Sequence, residues 1–67
     1  MDLVKIKDYI HNRHIPMTAL AKELDISKQS LYLKLNGERD FRSDEMTKMA
    51  DVLRMTKDEI LDIFFDK

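Results

Sequence analysis

The sequence predicts a compact all-α fold of five helices. Three observations predict it. Apolar residues recur at the three- and four-residue spacing of a helix face in five separate stretches. Helix-capping residues (Asp, Ser or Thr) stand immediately before most of those stretches. No stretch alternates with a useful period of two, and one Gly and one Pro are all the chain offers as helix breakers.

The first helix is expected from about Asp2 to Arg13, with Asp2 as its cap and Leu3, Ile6 and Ile10 along one face. Pro16 stops or restarts the chain. The second helix runs from Met17 or Thr18 to Leu24, with Met17, Leu20, Ala21 and Leu24 inward; the small Ala21 lets another helix approach closely. Asp25-Ile26 makes a corner, and Ser27 caps a third helix from Lys28 to Asn36, with Leu31 and Leu35 as its buried pair. Gly37 follows as a left-handed C-cap. A charged loop, Glu38 to Arg42, holds Phe41 as a plug over the core. Ser43 is expected to cap the fourth helix, whose positive end suits Asp44 and Glu45 and whose stripe is Met46, Met49, Ala50 and Leu53. Thr56-Lys57-Asp58-Glu59 is a capping box that opens a fifth helix carrying Ile60, Leu61, Ile63, Phe64 and Phe65.

Residues 1–67 form a single domain, near the lower size limit for folding without staples. With no cysteine, neither a disulfide nor a thiolate metal site can help. Asp2, Lys5, Lys7 and Asp8 interrupt the N-terminal stretch, so no signal-peptide core or membrane span is expected, and a cytoplasmic protein is. The net charge is -1, but its distribution is uneven. Residues 1–42 carry eight Lys and Arg against six Asp and Glu, and residues 43–67 carry four against seven. Between Ile26 and Gly37 there are two lysines and no carboxylate, which favours a polyanion on that side. His11 and His14 lie three apart without further ligands at metal spacing. No nucleophile triad, glycine-rich phosphate loop or paired-carboxylate pocket is visible, so neither an enzyme nor a cofactor or metal is expected.

The stretch MTALAKELDISKQSLYLKLNG is a helix-turn-helix unit over about residues 17–36. Through Leu20-Ala21, Leu24, Ile26-Ser27, Leu31 and Asn36-Gly37 it resembles the phage repressor and Cro-type helix-turn-helix (XRE-like) transcriptional regulators. FRSDEMTKMADVLRMTKDEILDIFF resembles the last two helices of the same five-helix domain, so the likeness spans nearly the whole chain. It implies a lambda-repressor-like DNA-binding domain, similar to small regulators of phages and prophages of Gram-positive bacteria. Such a protein binds a double-stranded DNA operator, as a homodimer associated with the host nucleoid, and blocks or touches RNA polymerase. Two positions depart from the pattern. Asp25 stands where the family usually has Gly, and Met17 where it often has a phosphate-binding Gln.

With Leu31 at the centre of the buried face, Gln29, Tyr32, Leu33 and Asn36 fall on the opposite side, and Lys28 and Lys34 flank the stripe with stems long enough to reach out. Lys28, Gln29 and Ser30 are therefore the expected base readers, with Leu33 offering an apolar contact to a thymine methyl or to a protein. Thr18, Tyr32, Lys34, Arg39 and Arg42 are expected at phosphates. The last helix has more apolar coverage than one core contact needs, which assigns Leu61 and Phe65 to a homodimer contact. The alternative reading is a protein-interaction module on the same fold, an antirepressor or modulator that binds a partner regulator.

Overall fold

The structure, a computed structural model, describes residues 1–65. Five helices follow in order: α1 (Leu3–Asn12), α2 (Met17–Glu23), α3 (Lys28–Leu35), α4 (Ser43–Val52) and α5 (Lys57–Phe64); there is no strand among the described residues. Their starts follow from side-chain chemistry. The Asp2 carboxylate accepts the Lys5 N–H at 3.1 Å, and Ser27 Oγ accepts the Ser30 N–H at 3.0 Å. At α5 both arms of the capping box form: Glu59 N–H donates to Thr56 Oγ1 at 3.2 Å and Thr56 N–H to Glu59 Oε1 at 2.8 Å. α2 has no side-chain cap and starts from Pro16 in extended backbone.

The start of α4 differs from expectation. Arg42, not Ser43, is its cap residue. Ser43 already lies inside the helix, and its carbonyl accepts the Thr47 hydroxyl at 3.1 Å. An arginine side chain has no acceptor. The single arm of this box is therefore Glu45 Oε1, which accepts the Arg42 N–H at 2.8 Å.

α1, α2, α3 and α4 all stop in the same way. The residue after the cap turns left-handed, and the next N–H reaches back across the last turn: Ile15 to the Ile10 carbonyl, Ile26 to Ala21, Glu38 to Leu33 and Met55 to Ala50. The left-handed residues are His14 (φ 54°), Asp25 (φ 58°), Gly37 (φ 83°) and Arg54 (φ 54°). Asp25 therefore occupies the corner as expected. His14 and Arg54 carry no such signal in the sequence. In three of the four stops the residue that follows is apolar, and Ile15, Ile26 and Met55 all pack against the core. That burial holds the turn where a side chain with a Cβ is disfavoured.

The core is one cluster fed by every helix: Ile6 and Ile10, Leu20, Ala21 and Leu24, Leu31 and Leu35, Met49 and Leu53, Ile63 and Phe64. Phe41 lies half-buried over it, as the plug expected from the loop. α2 packs on α3 and α4, and α1 on α3 and α5. The start of α1 meets the end of α5, where Asp2 N–H donates to the Ile63 carbonyl at 2.7 Å and Lys5 Nζ pairs with Asp62 at 2.9 Å. Among the described residues no helix is long and apolar enough to cross a membrane.

A left-handed backbone costs a non-glycine residue about 1–2 kcal/mol, part of which glycine gives back as entropy in the unfolded chain. Arg54→Gly and Asp25→Gly are each expected to stabilise the fold, by roughly 0.5–1 kcal/mol. Urea unfolding of the single variants measures it, with a higher midpoint and an unchanged slope as the expected result.

Candidate nucleic-acid interface

α2 and α3 are joined by residues 24–27, and the helix that follows this corner presents one face outward. The corner is tight because Leu24 is buried beneath it, Ile26 is half-buried beside it, and Ala21 leaves room for α3 to approach. On the inner side of α3, Leu31 and Leu35 anchor it. Lys28, Gln29, Tyr32 and Asn36 are exposed, spaced at i, i+3 or i+4, and i+7, so they form one continuous ridge. Tyr32 keeps 46% of its surface exposed, and Lys28 Nζ stands 6.0 Å from the centre of its ring. Ser30 and Leu33 are half-buried on the flanks. Leu33 is therefore less an outward-pointing side chain than the helical period implies.

Lys34 corrects the expectation of a phosphate contact. It is 7% exposed and turned inward, where Nζ donates to Oε1 of Glu45, itself 4% exposed. The reason is periodic. Lys34 lies at i+3 from Leu31 and next to Leu35, on the buried stripe rather than beside it. Its long stem leads not to solvent but to a carboxylate from α4. Glu45 carries no such signal in the sequence, where it reads as a favourable charge in the first turn of a helix. Burial pushes the Glu45 carboxyl up, but the Arg42 N–H and the Lys34 ammonium bonded to it outweigh burial and hold it below its usual value. Among the described residues no buried side-chain nitrogen or oxygen lacks a hydrogen-bond partner.

The other expected phosphate ligands are on the surface. Thr18 is exposed in the first turn of α2, whose leading amides have no side-chain acceptor. Arg39 and Arg42 are exposed in the loop after α3. Arg42 Nε lies 3.4 Å from Asp44 Oδ1, an open pair of little energetic weight that leaves the guanidinium accessible. Lys28 is thus the cation of the α3 ridge and Arg39 and Arg42 are exposed in the loop that follows, but Glu38, Asp40 and Asp44 are exposed in that same stretch.

Leu61 (53% exposed) and Phe65 (62%) are bare apolar side chains at i and i+4 on the last helix and its cap. Phe65 borders an apolar hollow of about 350 Å³ between α4 and α5, floored by Met46, Ala50, Ile60 and Phe64. Val4, 68% exposed on α1, is a further bare apolar side chain, one to which the sequence pattern assigns no role. His11 and His14 are exposed, and no cluster of His, Cys, Asp and Glu suited to a metal ion occurs among the described residues.

These features define a small all-α domain with an α2–α3 helical pair, one outward helical ridge and one bare apolar face. The chain belongs to the DUF739 family, whose description is a protein of unknown function and whose model matches residues 1–67. No curated protein and no solved structure matches the chain.

Removing one partner of a buried ion pair leaves the other charge uncompensated. Lys34→Ala is therefore expected to destabilise the fold by about 3–5 kcal/mol, enough to unfold much of so small a domain. Thermal melting followed by circular dichroism measures the loss. The Glu45 carboxyl is lowered in the folded state, so its contribution is present above the ordinary value of 4.5 and is lost as pH falls through the lower, folded value. Glu59, held down mainly by the Thr56 N–H and next by the Tyr9 hydroxyl, acts in the same direction. Stability is expected to fall on acidification below about pH 4.5, and Glu45→Gln to flatten that fall in urea titrations at stepped pH.

Proposed function

We propose that this protein is a sequence-specific double-stranded DNA-binding transcriptional regulator of the phage repressor and Cro type, acting in the bacterial cytoplasm. It lays α3 in the major groove. The observation that carries this reading is the exposed ridge of Lys28, Gln29, Tyr32 and Asn36 on a helix free of carboxylates and anchored from behind by Leu31 and Leu35. Gln29 suits adenine N6 and N7, and Asn36 has the same pairing chemistry one turn beyond Tyr32. Lys28 and Ser30 reach base edges or phosphates at the positive end of α3, and Tyr32 a phosphate oxygen. Thr18, Arg39 and Arg42 hold the backbone to either side. Lys34 is no part of that set, and Leu33 reaches a thymine methyl only past its own half-burial.

One such helix reads few base pairs, so the reading includes a homodimer on two half-sites about one helical turn apart. Its contact is the bare face of Leu61 and Phe65 beside the α4–α5 hollow. The protein occupies an operator and excludes or touches RNA polymerase.

A second reading, a module that binds a partner regulator, is favoured by the burial of Lys34. That burial leaves Lys28 as the exposed cation of α3, while the loop after the helix exposes Glu38 and Asp40. Selection of bound sites from random duplex DNA separates the two, because a protein-binding module enriches no sequence. Nonspecific affinity is nearly all electrostatic, so retention on heparin at low salt is expected for the DNA reading, and indifference for the other.

Within the enriched site, Gln29→Ala is expected to lose discrimination at one or two base pairs, by about 1–3 kcal/mol. Equal weakening across all variants of the site makes Gln29 a positioning residue instead. Phe65→Ala is expected to shift the sedimentation of the protein towards the monomer, and unchanged association removes Phe65 from the dimer contact.

A further inference from the structure

The Lys34–Glu45 pair is buried between the end of α3 and the start of α4. Its partners lie eleven positions apart in the chain, and the α3–α4 loop falls between them. Lys34 sits at the entrance of that loop, where its carbonyl also accepts the Gly37 N–H at 3.2 Å. Glu45 sits at the exit, where the same Oε1 that receives Lys34 also receives the Arg42 N–H at 2.8 Å. One carboxylate oxygen thus joins the inner face of α3 to the cap of α4. A buried pair is weak as a source of stability, because desolvation of both charges offsets most of their attraction. A fold that only needed bulk there would be served as well by Leu or Met. What an apolar pair cannot supply is direction: a charge-assisted bond fixes where both backbones stand.

We infer that Lys34 and Glu45 form a clasp whose role is to hold the α3–α4 loop in register with the outer ridge of α3, so that Arg39 and Arg42 stand at a set distance from Gln29 and Tyr32. Both are positioning residues; neither touches the partner. The clasp acts within the protein alone, and its consequence for phosphate binding rests on the DNA-binding reading above.

The double variant Lys34→Met with Glu45→Gln removes both charges and keeps an acceptor for the Arg42 N–H. Amide hydrogen exchange on the free protein then reads the loop separately from the core. The N–H groups of Gly37, Glu38 and Arg42 are expected to exchange at least about tenfold faster, with the core amides Leu31 and Leu53 unchanged, because local opening and global unfolding report separately. Uniform acceleration across loop and core, or no acceleration at all, overturns the clasp, since a merely structural pair changes every amide alike or none. A double variant that does not fold also overturns it. Binding to mixed-sequence duplex DNA adds a second arm: the slope of log affinity against log salt is expected to fall by about one for each arginine that no longer reaches a phosphate. If the parent protein does not bind duplex DNA at low salt, the DNA-binding reading fails, and the exchange result still decides the clasp.

Discussion

No helix in this protein can stand by itself. α1 and α4 have ten residues each, α3 and α5 eight, and α2 seven. Isolated helices shorter than about 12–15 residues are marginal in water. Each therefore persists only because it gives two or so side chains to one shared core, where Ile6, Leu20, Leu31, Met49 and Leu53 are completely enclosed. Burying each such side chain contributes about 1.5–3 kcal/mol, and no helix has a spare one. The outer face of α3 inherits this dependence. Gln29 and Tyr32 are presented to solvent only because Leu31 and Leu35 hold the same helix from behind. The front of the helix is free to vary; the back is not.

Helices this short must also be reversed quickly, and the fold does so with one device used four times. A left-handed residue follows each cap, yet glycine occupies it once, at Gly37. At His14, Asp25 and Arg54 the backbone strain is offset by the apolar residue next in line, which drops onto the core. Turn chemistry and core packing are therefore the same interaction seen from two sides.

Charge is distributed under the same shortage of space. Of the cations on α3 and in the loop after it, Lys34 is withdrawn into the fold and Arg42 is shared with Asp44, leaving Lys28 and Arg39 at the surface without an ion-pair partner among the described residues. On the DNA-binding reading this lowers the electrostatic share of affinity and raises the share carried by shape, by the Gln29 and Asn36 amides and by a second subunit. The bare Leu61 and Phe65 fit that balance, since an apolar contact between subunits does not depend on the charge interactions that salt screens.

What the sequence by itself determined is whatever depends on neighbours within one or two turns. The five helices, the inward stripes, the capping box at Thr56, the left-handed corner at Asp25 and the plug at Phe41 are all of this kind, because period and cap chemistry are local. What only the tertiary structure decided is where two elements meet. Lys34 reads from one helix as a surface cation with a long stem, and Glu45 from another as a first-turn acid. Each is correct locally, and neither position announces that the two point at each other across a loop. Ser43 fails as a cap through a local contact, since Glu45 accepts the Arg42 amide one residue earlier; the tertiary part is that Lys34 holds the same Glu45 oxygen. A buried charge needs its partner, and which residue that is depends on how the ends of α3 and α4 are brought together, a distance in space that sequence spacing does not encode.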